Sequence, residues 1–369
     1  MLKVTIVCSS LIRRGPTNVI FNMLEAYYNS NIQDVKFSIV TISSESEESR
    51  MQDFVNLGIE IKSVNVKPGI VGILSLSKIK DVILSTLPDV VHSYGFRADV
   101  LLELMRLSKI PIVSSLFNNP HEDYCMQFGK LKGRLMAKFH LHILKSFNKV
   151  IVCSRFIEEK VKNDKLNLVT IYTGVPANVF VPLVKDEVVK RRLSMGIPAN
   201  AKVFLFIGNL IYRKNPFFLI ETFKSMEFDH ENYLIIMGDG PLMSECKTLI
   251  GNSTHIRLIG AQPGTLQYLQ IADYYISASY SEGFPTAVLE ALSTNVLPIL
   301  SDIMPHIEMI RGLSSNCIFK NNDSNSLISL INQLKSHDLT PREYLLRNYS
   351  SEIMQRNYIN EYHKLIIFN

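Results

Sequence analysis

Two carboxylates eight positions apart, Glu282 and Glu290, and two adjacent cations, Arg213 and Lys214, are the residues whose types and spacing suit work on a charged, hydroxylated ligand. The apolar run 273–278 reads as a strand, Glu282-Gly283 as a turn, and 284–293 as a helix with Pro285 in its first turn, where a missing N–H does no harm. Unpaired backbone N–H groups at a helix start attract phosphates and sugar hydroxyls. Eight residues make just over two helical turns, so both carboxylates can face one ligand. The same pair also reads as a favourable charge at a helix N-terminus followed by a solvated face residue. Arg213 and Lys214 lie in the loop 208–215, between a strand at 202–207 and a helix at 216–226. A forked guanidinium, a mobile ammonium and a helix dipole suit a diphosphate there, or else form a solvated cap.

These residues are positioned by alternating strands and helices. Strand-like runs recur at 4–8, 36–42, 59–66, 90–92, 111–116, 149–152 and 168–172, and again at 202–207, 234–237, 256–259 and 273–278. Such alternation predicts mostly parallel sheets covered on both faces, with ligands bound beyond the carboxyl ends of the strands. His92 ends one run, where a neutral imidazole can hold an acceptor hydroxyl or simply serve the core. The loop 9–18 holds Gly15, which lets a phosphate approach the backbone, and the N-cap candidates Thr17 and Asn18; it reads equally as a turn with a cap. Asn118, His121 and Asp123 follow the run 111–116 and offer hydrogen bonds to a ligand or caps to the next helix. The stretch 173–182 is rich in helix and strand breakers and marks a domain boundary. Gly238-Asp239-Gly240 is followed by Met243 where a dinucleotide fingerprint needs glycine, so that fingerprint is absent.

At 369 residues and 47% hydrophobic content, the chain is long enough for two domains. No apolar run approaches the roughly 20 residues that span a bilayer, and residues 1–8 read as a strand rather than a signal peptide, so a cytoplasmic location is expected. The five cysteines are scattered without metal-ligand spacing, and no Asp-x-Asp occurs, so no metal is expected. The net charge of +5 comes from the N-terminal half. Residues 129–149 carry six Lys/Arg and no acid. At helical spacing Lys130, Arg134, Lys138, Lys145 and Lys149 take one side and Leu131, Leu135, Phe139, Ile143 and Phe147 another. That reads as a surface helix with its apolar side on the sheet, or as a face for anionic lipid headgroups.

Glu-Gly-Phe-Pro at 282–285, Leu-Glu-Ala-Leu at 289–292 and Pro-Ile-Leu-Ser-Asp at 298–302 resemble the signature of retaining GT-B glycosyltransferases of the group-one, or family-four, type. The resemblance implies an α/β fold of two facing Rossmann-like domains with a cleft between them. Residues 1–175 would form the acceptor-side domain, with a helix at 352–369 packed on it, and 176–351 the donor domain. Glu282, Asn118 and His121 are implied in catalysis. Donor binding falls to Gly15, Asn209, Arg213, Lys214, Gly260, Glu282, Gly283, Phe284, Pro285 and Glu290, and the acceptor side to His92 and Asp123. Phe117 stands where similar sequences carry a histidine, and Asn209 where they carry an arginine. His306 is read as structural. The implied activity is metal-free, retaining transfer of a sugar from a nucleotide-sugar to a glycan or lipid-linked acceptor in capsule, O-antigen or exopolysaccharide synthesis. No cofactor and no nucleic acid are implied, and the protein would sit in the cytoplasm or peripherally on the inner membrane face. The rivals are a non-catalytic nucleotide-sugar or glycan binder and a nucleotide-sugar epimerase or hydrolase on the same scaffold.

Overall fold

The computed structural model describes residues 1–367 apart from 68, 70, 71, 73, 108, 227–230, 314–316 and 335–339. The chain divides into two compact units, Met1–Gly174 with Ser351–Asn369, and Val175–Ser350. Residues 368 and 369, at the end of the C-terminal helix expected at 352–369, lie outside the described residues.

In the first unit seven strands form one sheet: β1 (Leu2–Cys8), β2 (Val35–Thr41), β3 (Glu60–Ser63), β4 (Val90–Tyr94), β5 (Ile112–Leu116), β6 (Lys149–Val152) and β7 (Leu168–Thr170). Their order is β3-β2-β1-β4-β5-β6-β7, and each neighbouring pair is parallel. The order reverses between β1 and β4, which opens a crevice beyond their carboxyl ends. Both central strands are buried at most positions, which is why they read as continuous apolar runs rather than alternating ones. The helix Ser351–Ile367 contributes Met354, Tyr358, Ile359 and Tyr362 to the core built around β1 and the helix Gly15–Tyr28.

The second unit holds β8 (Lys202–Ile207), β9 (Asn232–Met237), β10 (Ile256–Gly260), β11 (Tyr274–Ser277), β12 (Leu297–Ser301) and β13 (Ile318–Phe319) in the order β10-β9-β8-β11-β12-β13, again with parallel neighbours. Its reversal lies between β8 and β11. The loops leaving β8 and β9 run almost in contact. The Gly208 N–H donates to the Met237 carbonyl (3.0 Å) and the Leu210 N–H to the Asp239 carbonyl (2.8 Å). A Cβ on Gly238 would fall 1.9 Å from the Gly208 carbonyl oxygen, and Gly238 has φ +143°, so both the approach and the backbone require glycine.

Several boundaries differ from the sequence reading. The first helix begins at Gly15, so Thr17 and Asn18 lie inside it rather than capping it, and Asn18 Oδ1 instead accepts from Arg50. The helix after Glu282 starts at Thr286 with Pro285 as its N-cap, two residues later than expected. The basic helix spans Lys130–Leu144 only; Lys145 is its C-cap residue and Lys149 begins β6. Ile143 and Phe147 are buried, whereas Leu131, Leu135 and Phe139 are 78%, 62% and 52% exposed, so the expected single apolar side divides between core and solvent.

Gly238→Ala is expected to lower stability by about 2–3 kcal/mol, because the new methyl cannot be accommodated without moving backbone. Gly264, where an added Cβ meets nothing, serves as the control. Chemical denaturation of Gly238→Ala and Gly264→Ala checks this, and equal midpoints would refute the close-approach account.

Candidate functional site

The residues singled out at 213, 214 and 282 meet at the second unit's reversal. Arg213 and Lys214 sit in a single helical turn, Tyr212–Lys214, after β8; Glu282 sits in the loop after β11. Arg213 Nη1 donates to Glu282 Oε2 at 2.9 Å and Lys214 Nζ to Oε1 at 2.6 Å, so each carboxylate oxygen faces a cation. The loops are also joined by backbone: the Tyr280 N–H donates to the Arg213 carbonyl (2.8 Å), and Arg213 Nη1 reaches the Ser281 carbonyl. Tyr212 and Tyr280 stack at 5.1 Å across the same junction.

Glu282 is buried. Burial alone would raise its pKa, but Lys214, Arg213 and then His306 outweigh that and hold it at about 2. His306 is fully enclosed, its Nδ1 lies 3.0 Å from the Ser301 carbonyl, and burial lowers its pKa to about 4, so it is neutral near pH 7. Its Nε2 is a buried atom without a hydrogen-bond partner among the described residues.

Glu290 lies on the helix Thr286–Ser293 and accepts from Thr265 Oγ1 at 2.9 Å. Burial raises its pKa to about 7, only partly countered by that hydrogen bond. The two glutamates are therefore unlike: one is a fixed anion, the other a carboxyl that titrates near neutrality. The backbone of Gly283, Phe284 and Pro285 leads into this helix, while the Phe284 ring is buried edge-on to Tyr349 at 5.2 Å, so only its main chain is offered to a ligand. Asn209 is exposed in the loop after β8, and Gly260 ends β10 with φ +70°, its carbonyl accepting from the Gly238 N–H.

The first unit has its own cavity, of about 370 Å³, at the crevice between β1 and β4. Asn118, Asp123 and Phe117 line it, as do Arg14 and Pro16 on either side of Gly15, and Phe117 stacks on Tyr94 at 5.9 Å and 20°. Two sequence candidates are not brought there. His92 is fully buried in the core: Nδ1 pairs with Tyr362 Oη (2.7 Å) and Nε2 with Ser115 Oγ (2.9 Å), so both ring nitrogens are engaged and its acceptor-side placement is corrected. His121 instead meets Asp164 at 3.3 Å, away from the cavity lining. The sequence reading missed Tyr124 and His140, which line the cavity and are linked to buried Asp99. Their signal, a helix residue meeting another sixteen positions on, has no local pattern. Among the described residues no cluster of three or more His, Cys, Asp or Glu groups could hold a metal ion, and no helix is long and apolar enough to cross a membrane.

Two family profiles match the chain in succession, "Glycosyltransferase Family 4" over residues 15–179 and "Glycosyl transferases group 1" over residues 190–350. The chain is 29% identical over 256 residues to an Escherichia coli UDP-Gal:alpha-D-GlcNAc-diphosphoundecaprenol alpha-1,3-galactosyltransferase, covering 66% of this chain and 62% of that one. It is 28% identical to an uncharacterized glycosyltransferase of Methanocaldococcus jannaschii, covering 61% and 58% respectively. The chain thus spans about three fifths of the length of these two curated relatives. An E. coli O-antigen biosynthesis glycosyltransferase, WclY, is 23% identical over 99% of both chains. The crystal structure of Anabaena Alr3699/HepE in complex with UDP and glucose superposes with a TM-score of 0.81 at 14% identity, covering 98% of this chain and 99% of that one.

The unlike carboxyls give opposite pH signatures. A group at about 7 when folded, against 4.5 ordinarily, binds more protons folded than unfolded, so Glu290 costs stability as pH rises from about 4.5 through about 7. Glu282, held at about 2, contributes stability above about pH 4.5 that is lost as pH falls toward 2. Between about pH 5 and about pH 8 the wild type should therefore lose about 1–3 kcal/mol relative to Glu290→Gln. Parallel denaturation curves for the two proteins would disprove the raised pKa.

Proposed function

We propose, on the premise that this chain is a GT-B-fold glycosyltransferase related to the group-one and family-four enzymes, that it moves a sugar from a nucleotide-sugar to a lipid-linked glycan acceptor with retention of configuration. The observation that carries the reading is the pair of cations on Glu282 at the sheet reversal of the second unit. A diphosphate arriving there meets Arg213, Lys214 and the N-terminal end of the helix Thr286–Ser293, which together stabilise the charge that builds on the departing nucleotide. Glu282 keeps both cations in place and lies on the sugar side of the donor. Glu290 accepts from the ribose diol. With both oxygens of Glu282 committed to cations, the proton of the attacking hydroxyl passes to the departing phosphate oxygen on the same face, rather than to a side-chain base. Asn118 and Asp123 hold the acceptor in the cavity of the first unit.

The acceptor class follows the E. coli relative, whose name gives a diphosphoundecaprenol-linked sugar, and polysaccharide assembly follows the O-antigen relative. Such an acceptor requires access to a membrane surface. On the helix Lys130–Leu144, Leu131, Leu135 and Phe139 form an exposed apolar stripe beside Lys130, Arg134 and Lys138, with exposed Met126 and Phe128 from the helix before it. Apolar side chains entering the headgroup region beside cations drawn to anionic lipid would seat this helix on the cytoplasmic leaflet.

Purified protein is incubated with a panel of nucleotide-sugars, with and without lipid-linked acceptor. Acceptor-dependent nucleotide release is expected; acceptor-independent release or isomerisation would instead identify a hydrolase or epimerase, and binding without turnover a non-catalytic relative. Glu290→Ala should weaken nucleotide and nucleotide-sugar binding by about 1–3 kcal/mol in calorimetry, whereas Glu282→Ala should lower turnover more than nucleotide affinity. Unchanged affinity in the first or unchanged turnover in the second removes that residue from its role.

In vesicle co-sedimentation, binding should require anionic lipid and weaken with salt, each cation contributing about 1 kcal/mol near the surface. Changing Leu131, Leu135 and Phe139 to Ser, or Lys130, Arg134 and Lys138 to Gln, should abolish it. Indifference to lipid charge in the wild type would exclude this surface.

A further inference from the structure

The cavity wall of the first unit contains a buried chain of polar groups that the donor chemistry does not use. Asp99, on the helix Phe96–Met105, is wholly enclosed; Oδ1 accepts from Ser93 Oγ and Oδ2 lies 2.7 Å from His140 Nε2. His140 Nδ1 lies 2.8 Å from the Tyr124 hydroxyl, and Tyr124 and His140 both line the cavity. The two helices carrying them cross unusually closely. A Cβ on Gly133 would fall 2.4 Å from the Tyr124 carbonyl oxygen and 2.5 Å from the Cys125 Cα. Glycine at 133 is therefore what brings Tyr124 within reach of His140.

The polarity of the chain is set by the tautomer of His140. In the tautomer that donates from Nε2, His140 points its ring proton at Asp99 Oδ2. In that tautomer Nδ1 accepts, so Tyr124 donates its O–H to His140 and keeps its oxygen lone pairs for a donor on a ligand. We infer that Tyr124 is the acceptor-positioning residue of this cavity, a hydroxyl that Asp99 and His140 hold as a hydrogen-bond acceptor, so that the cavity takes a sugar ring by one of its hydroxyl donors. The inference rests on the transferase reading for what the ligand is. Asp123 offers a second acceptor, Phe96 and Phe117 offer ring faces for the apolar side of a sugar, and Arg14 meets any anionic portion of the ligand. A volume of about 370 Å³ falls within the range of small-ligand sites, about 300–1,000 Å³.

The probes are methyl α-glycosides of glucose, galactose and N-acetylglucosamine, each with its deoxy and deoxyfluoro analogues, titrated into the full chain by ligand-observed NMR, with UDP binding followed in parallel. At least one glycoside should bind. At one ring position fluorine, which accepts but does not donate, should weaken binding as much as deletion of the hydroxyl, by about fivefold to tenfold. Tyr124→Phe should lose the same factor and cease to distinguish the hydroxyl from its fluoro and deoxy analogues, with UDP binding retained. In Asp99→Asn the amide can donate to Nε2, which moves the ring proton to Nδ1 and frees the Tyr124 O–H to donate; the penalty for fluorine should then shrink. The analogue comparison needs no variant to fold: if fluorine is tolerated at every ring position by the wild type, the cavity does not demand a donor and the inference fails. Equal glycoside affinity in wild type and Tyr124→Phe overturns it too. UDP binding with no glycoside binding overturns it while leaving the transferase reading standing, and absence of both removes the reading along with the inference.

Discussion

A carboxylate as enclosed as Glu282 is sustainable only because two cations meet it, one on each oxygen. Removing an ionised carboxylate from water without partners costs more than a fold of ordinary stability can offset. The partners come from a loop nearly seventy positions earlier in sequence, so the pairing depends on the sheet. β8 and β11 are adjacent and parallel, and both loops leave their carboxyl ends. Sheet order, rather than local sequence, therefore creates the charged cluster. Glu282 in return keeps two neighbouring like charges from repelling Arg213 and Lys214 out into solvent. What results is a compact group with net charge +1 just ahead of the helix Pro216–Ser225.

The two units use the same topology to present different chemistry. The reversal in the second unit carries ionised groups and a helix N-terminus, suited to phosphate. The reversal in the first, between β1 and β4, is lined by Ser9, Ser10, Tyr94 and Tyr124, with the rings of Phe96 and Phe117 beside them, suited to a hydroxylated ring. His92 illustrates how position and availability part company. It is on β4, a strand adjoining this crevice, yet its nitrogens are spent on Tyr362 and Ser115, which tie the C-terminal helix to the sheet. Its pKa is lowered to about 3 by burial, so it stays neutral and the tie does not carry a charge into the core.

Most strands were legible because buried parallel strands are nearly continuous apolar runs, and the charged cluster was legible because Arg213-Lys214 and Glu282 each precede a helix. Three things were not legible. The first helix begins at Gly15 because Pro16 suits a first helical turn, which a reading based on Thr17 and Asn18 as caps overlooked. The basic segment appeared as one amphipathic helix because its periodicity continues past Leu144 into residues that fold back to form β6; spacing alone does not say where tertiary packing stops a helix. The Asp99–His140–Tyr124 chain joins three separate helices, and its enabling feature is Gly133, whose small size matters only once two helices cross.

The departures at Phe117 and Asn209 take on a physical sense from these placements. Phe117 stacks on Tyr94 at the cavity wall, so the position offers a ring face instead of an imidazole, and the polar side chains beside it in the lining include Asn118 and Tyr124. Asn209 is exposed and uncharged, but Arg213, four positions on, reaches the same carboxylate as Lys214. Positive charge at a strand-to-helix crossing can be supplied from more than one loop position provided the side chain reaches the anion, because Coulomb attraction is set by distance and exposure rather than by sequence register. The buried carboxylate records where that charge lies: its pKa of about 2, despite burial, requires both cations close at hand.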